Sequence, residues 1–273
     1  MLTNTGIVLE HEMVLALNNK KYCELSNNLK HFVKSLFGPQ KDDVIVHASR
    51  TEISMKPDIF VEINGVNKYV SLKTGEAKIV HEEQIKPFIL FLRSLDISRK
   101  TQGIILKFHY GDGTKDGTGS KRLEGLEVYE KYNDDIKYAN EELNKNIDIV
   151  LKVVDRCVFD GAHEEYIPAE FIYHGDVEYG NVIDRHLVHE YVKNTSFKHY
   201  DALHIGPIII KPHARYAHSD IKSERRRNQV DCTRPYIGPK INAIAKRYNN
   251  LYTENPNKKE DEDEENQEKE MIK

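Results

Sequence analysis

Two runs of alternating apolar residues meet at Asn64-Gly65, and this pattern limits what the chain can fold into more than any other stretch. Ile59, Val61 and Ile63 alternate with Phe60 and Glu62 before the dipeptide, and Val70 and Leu72 alternate with Tyr69, Ser71 and Lys73 after it. Period-two alternation belongs to a strand with one buried face, and Asn-Gly suits a two-residue turn whose central residues both need φ > 0. The segment Lys56–Lys73 therefore reads as an antiparallel hairpin. Residues two apart share a strand face, so Ser71 and Lys73 point the same way. Pairing across the turn lays Pro57-Asp58 beside the end of the return strand, bringing an acid, a hydroxyl and an ammonium together.

The flanking segments read as helices. The first covers roughly Gly6 to Phe37, with a break near Asn18-Asn19, and places Glu10 on the same inward stripe as Val14 and Leu17. A carboxylate on an apolar face is costly unless it is paired or metal-bound. The plainer alternative is a glutamate that reaches solvent or pairs with a nearby lysine. A second helix is expected from about Val80 to Leu95, with Pro87 kinking it or marking its true start. On an ideal wheel His81, Glu82 and Gln84 lie nearer the apolar face, which favours Glu82 over Glu83 without excluding Glu83. The apolar run Gly103–Phe108 then reads as a further strand.

Pro57-Asp58, Ser71-Leu72-Lys73 and this order of elements resemble the PD-(D/E)xK nuclease superfamily. The resemblance implies an α/β fold: a restriction-endonuclease-like αββαβ core with a mixed central sheet, plus helical and α+β additions. One position departs from the pattern. The family has Asp or Glu two residues before the lysine, whereas this chain has Ser71, and a hydroxyl is a poor substitute for a carboxylate on a hard cation. A subgroup of type II restriction enzymes is similar here, using Ser-x-Lys and taking the missing carboxylate from the following helix, where this chain offers Glu76, Glu82 and Glu83. The resemblance thus implies Asp58, Ser71 and Lys73 as catalytic residues. It implies Asp58 with Glu82 or Glu83, helped by Glu10, as ligands of Mg2+, with Mn2+ as a substitute and no organic cofactor. The expected activity is cleavage of double-stranded DNA at a defined site by a homodimer. The alternatives are a DNA-binding protein with an inactive nuclease core, in which Ser71 marks a lost ligand, and a structure-specific or phage-defence nuclease.

A formal net charge of −4 argues against a nucleic-acid partner until it is divided along the chain. From Lys211 to Arg247 there are ten Lys or Arg against three Asp or Glu, whereas from Glu254 onward there are nine acids against four lysines. Arg215, Lys222, Arg225, Arg226, Arg227 and Arg234 are accordingly expected to contact DNA, since guanidinium forks neutralise phosphates and read guanine edges. The expected organisation is a nuclease core over 1–110, a helical and α+β insertion with the basic DNA-contacting region over 111–253, and a disordered acidic tail over 254–273.

Within the middle segment, the glycine-rich stretch Tyr110–Arg122 lacks P-loop spacing and reads as a mobile loop. Leu123 to about Val158 reads as mostly helical, Glu170–Gly175 and Ala202–Lys211 as strands around a helix near Arg185–Lys193, and Pro239–Asn249 as a last helix. None of the His-Glu pairs beginning at His11, His81, His163 and His189 has a histidine at the fourth following position, so the zinc-protease helix motif is absent. His186 and His189 read as exposed helical residues without a role. Cys23, Cys157 and Cys232 are too few and too scattered for a disulfide framework or a zinc cluster and read as reduced thiols. Without a segment of about 20 apolar residues or a signal-peptide pattern, no membrane partner is expected and the expected location is cytoplasmic.

Overall fold

Asn64 and Gly65 take φ of 52° and 78°, the left-handed pair that closes a two-residue hairpin between β3 (Ile59–Ile63) and β4 (Val66–Lys73). The computed structural model describes residues 5–51, 56–74, 79–119, 122–123, 125–163, 165, 167–197, 202–213, 227–233 and 244–245. Register across the hairpin runs from Ile63 opposite Val66 to Ile59 opposite Val70, so Asp58 arrives opposite Ser71. The hairpin lies inside a six-stranded sheet. On one side it continues through β2 (Ile45–Arg50) to the two-residue β1 (Lys20–Lys21), and on the other through β6 (Phe171–Gly175) to β7 (Gly180–Asp184). All pairings are antiparallel except β4 with β6, which is parallel and sets Lys73 beside His174. This is the mixed α/β sheet expected of a restriction-endonuclease-like core.

The expected first helix is two helices. α1 (Thr5–Leu17) ends before Asn19, whose φ of 58° breaks the helix, and α2 (Asn27–Phe37) starts at Ser26, whose side chain accepts the Leu29 N–H. Leu9, Met13 and Leu17 of α1 and Leu29, Phe32, Val33 and Leu36 of α2 pack on Val46, Ala48, Ile59, Val61, Ile63, Val70 and Leu72. Each such side chain contributes about 1.5–3 kcal/mol by leaving water, which fixes the face on which the hairpin is covered. Tyr173 of β6 joins this core, and its hydroxyl is held by Asn28 Nδ2 at 2.9 Å. α7 (Arg185–Lys193) follows β7 directly, capped by the Asp184 side chain on the Leu187 N–H. His189 is not the free surface histidine its position suggested, because its Nε2 lies 2.7 Å from Asp155, which Arg185 also approaches.

A second compact unit holds most of the remaining secondary structure. It contains β5 (Ile79–Gln84), α3 (Ile85–Ser94), α4 (Arg99–Tyr110), α5 (Gly125–Asn144), most of α6 (Ile147–Asp155), β8 (His204–Ile205), β9 (Ile208–Pro212) and β10 (Gln229–Thr233). Its strands form a four-stranded sheet in the order β5-β10-β9-β8. Two expectations are corrected here. Residues 79–84 form a strand rather than the first turns of a helix, and α3 begins only at Ile85. A start at Val80 would put Pro87 in a helix interior, costing about 3 kcal/mol, whereas a start at Ile85 leaves it in the first turn, where its missing N–H has no partner to lose. Gly103–Phe108 lies within α4 and is not a strand. Ser98 accepts the Thr101 N–H at its start and Gly111 takes φ of 65° at its end, a full pair of helix stops around a run too short to declare itself.

The loop after α4 is organised rather than loose. Asp112 has a fully covered side chain that accepts from the N–H and hydroxyl of Thr114, the N–H of Gly119 and the Arg227 guanidinium. Burial by itself would raise this carboxyl, but the hydrogen bonds from Thr114, Arg227 and Gly119 overcome it and hold it below the ordinary carboxylate range. Only Ile244 and Ala245 of the expected last helix, and none of the acidic tail, lie among the described residues. No described helix is long and apolar enough to cross a membrane.

Candidate functional site

Continuing the hairpin register by one residue puts the Asp58 carboxylate over the end of β4, and three groups meet its Oδ2 atom. The Leu72 N–H donates at 2.5 Å, the Ser71 hydroxyl donates at 3.1 Å, and Lys73 Nζ stands 3.7 Å away. Lys73 Nζ also donates to Ser71 Oγ at 2.8 Å and to the Leu72 carbonyl at 3.0 Å. Ser71 is wholly buried, while Asp58 and Lys73 are half-buried at the rim. The result is a chain of hydrogen bonds, ammonium to hydroxyl to carboxylate, on a rigid pair of strands. Such a relay orients a lysine proton, and placement on strands holds the groups more accurately than a loop would.

Glu10 approaches this group from α1. Its Oε2 accepts from Arg50 Nη2 at 2.6 Å and Nε at 2.9 Å, with Arg50 at the end of β2. Burial raises the Glu10 carboxyl above its ordinary value, and the negative charge of Asp58 raises it further, against the lowering effects of Arg50 and Lys73. Two carboxylates that repel one another beside a lysine form an oxygen-rich donor set, and the hydrogen bonds given to each by described residues fall on one oxygen only. Asp58 Oδ1 and Glu10 Oε1 are the oxygens suited to a hard dication, which takes few protein oxygens and keeps several waters. Ser71 supplies no charge to such an ion.

The other anticipated ligands have different surroundings. Glu82 and Glu83 stand on opposite faces of β5 in the second unit. Glu82 faces Asp231 of β10 across the pair and accepts from Gln229 Nε2 at 2.8 Å, whereas Glu83 is buried with its Oε1 3.2 Å from His81 Nε2. Glu76 lies outside the described residues, as do Arg215, Lys222, Arg225, Arg226 and Arg234. Arg227 is described, and its guanidinium is engaged with Asp112 at 2.8 Å and the Gly119 carbonyl at 3.1 Å.

Arg50 is a residue that sequence reasoning missed. Nothing in its own neighbourhood marks it, and only the β2–β3 register, Arg50 opposite Ile59, brings it to the start of β3. His174 of β6, buried directly beside Lys73, and Asn181, its partner on β7, were missed for the same reason.

No protein-family model and no curated protein matches this sequence. The structure is similar to a solved one. That is the crystal structure of the restriction endonuclease MspI in complex with its cognate DNA, with a TM-score of 0.47 and 13% identity over 85% of this chain and 93% of that one.

Proposed function

We propose that this chain is a metal-dependent DNA endonuclease of the type II restriction-like kind, hydrolysing phosphodiester bonds of duplex DNA at a defined site as a homodimer. The observation that supports the reading is the convergence of Asp58, Ser71 and Lys73 on one strand pair, with Glu10 near enough for the charge on Asp58 to raise its carboxyl. Asp58 and Glu10 would hold Mg2+, or Mn2+ in its place. When bound, the ion supplies the Lewis acidity that polarises a phosphate and lowers the pKa of a water. Lys73 orients the attacking water and offsets the charge that develops on the phosphoryl oxygens. Ser71 keeps Lys73 aimed and joins it to Asp58, while the Leu72 N–H fixes the rotation of the Asp58 carboxylate. Arg50 holds Glu10 in place. The basic residues from Arg215 to Arg234 would neutralise DNA phosphates.

Incubating the full chain with phage-length duplex DNA, in Mg2+ or in EDTA and beside Lys73→Ala, tests the reading. Discrete Mg2+-dependent fragments that the variant does not produce support it; equal cleavage by the variant overturns the role of Lys73. One observation favours a second reading. Ser71 stands where a carboxylate would complete the donor set, so a salt-sensitive gel shift without cleavage in either ion would make the chain a DNA-binding module.

A further inference from the structure

The second unit brings another donor set together, on its own four-stranded sheet. Glu82 on β5 and Asp231 on β10 are direct cross-strand partners, and His213, the residue after β9, reaches them from the far side of β10. His213 Nδ1 lies 2.8 Å from Asp231 Oδ1 and 3.7 Å from Glu82 Oε1, and all three ligand atoms are within 4.8 Å of one another. Two like charges directly opposite on paired strands repel, and a cation between them would relieve that repulsion. Donor atoms about 2.1 Å from a tetrahedral dication are separated by about 3.4 Å, and both His213 separations lie within about 0.6 Å of that spacing. The supports are also in place: the Gln229 amide donates to Glu82 Oε2, and the His213 N–H donates to the Gln229 carbonyl at 3.0 Å.

We propose that Glu82, His213 and Asp231 form a second divalent-cation site, one that takes a transition-metal ion such as Zn2+ or Mn2+ in preference to Mg2+. The imidazole sets the preference, because nitrogen ligands suit Zn2+ and its neighbours whereas Mg2+ seeks oxygen and water. Three protein ligands leave a coordination position open to water, and the ion ties β5 to β10 and to the end of β9. The site uses neither Asp58, Glu10, Ser71 nor Lys73 and does not depend on the role proposed for them.

Isothermal titration of the full chain with ZnCl2, in excess MgCl2, tests the site in the wild type and in Asp58→Asn, Glu82→Gln and His213→Gln. The expected result is one Zn2+ per chain in the wild type and in Asp58→Asn, with affinity about 100-fold lower or lost in the other two variants. Glu82 is 41% exposed, so Glu82→Gln should keep its metal-free melting temperature and separates lost ligation from lost folding. The wild type, but not Glu82→Gln, should melt higher when Zn2+ is added, because binding to the folded form alone stabilises it. Absence of Zn2+ binding in the wild type, or equal binding by Glu82→Gln and His213→Gln, overturns the proposal. Loss of Zn2+ in Asp58→Asn alone would assign the ion to the hairpin centre instead.

Discussion

Two antiparallel strand pairs in this molecule each set a carboxylate opposite a polar partner, and the partner decides the chemistry. Across β3 and β4, Asp58 meets a neutral hydroxyl, with an ammonium two residues further along. Across β5 and β10, Glu82 meets another carboxylate, with an imidazole arriving from β9. The first arrangement is balanced by its own lysine, which suits the proton-steering role proposed for it. The second concentrates negative charge around nitrogen, which suits the ion site proposed above. Both pairs are antiparallel, so the difference lies in which side chains the register brings face to face.

The widest separation between the two pairs should come from Lys73→Ala. Cleavage of duplex DNA should fall about 10²–10⁴-fold, the usual range for a positioned acid–base group, while a gel-shift assay shows DNA binding within a few-fold of wild type. Comparable loss of binding would mean that Lys73 serves the DNA contact rather than the reaction. Asp58→Asn should suppress Mg2+-dependent cleavage to a similar degree while leaving Zn2+ binding intact, which separates the two centres in one variant.

A smaller effect, on stability, is expected in the loop beside the second sheet. Asp112→Ala removes the acceptor of several hydrogen bonds and should lower unfolding free energy by about 2–3 kcal/mol, read from urea melts. Because the Asp112 carboxyl is held below its unfolded value, its contribution is fully present above the unfolded pKa. It is lost as pH falls through the folded value, so wild type and variant should converge in strong acid. A gap that persists unchanged there would rule out the ionised carboxylate as its source.

Glu10→Gln should change stability by no more than about 1 kcal/mol, since the Arg50 partner is 41% exposed and such pairs are weak. The sign with pH is the reverse of that for Asp112. A carboxyl raised by burial makes the folded state bind its proton more tightly, so the Glu10 contribution is fully present below the unfolded pKa and is lost as pH rises through the folded one. A last change, at least as large as that for Glu10, concerns the turn itself. Gly65→Ala has open space around it but φ of 78°, so it should cost about 1–2 kcal/mol of conformational strain and leave the core packing unchanged in near-UV circular dichroism.

The residues of the hairpin centre were legible because every relation among them is local. Alternation from Ile59 to Leu72 and the Asn64-Gly65 turn set the strand pair, and a two-residue turn leaves a single register that places Asp58 opposite Ser71. The break at Asn19 and the break at Pro87 were legible for the same reason, as backbone preferences carried by one or two residues. Residues 79–84 were not. Ile79-Val-His-Glu-Glu-Gln84 has little strand pattern of its own, and it becomes a strand because β10, more than a hundred positions away, supplies partners for its backbone. Ile104 and Ile105 suggested a strand through their branching, and the caps at Ser98 and Gly111 overrode that preference. By itself, then, the sequence determined the hairpin, its turn and the meeting of Asp58, Ser71 and Lys73, because short-range sterics and period-two burial leave one solution. Only the tertiary structure decided that Arg50 holds Glu10, that His174 lies beside Lys73, and that Glu82 belongs with His213 and Asp231. Those neighbours are chosen by pairing between distant strands, and that pairing depends on the packing of the whole unit rather than on any local preference.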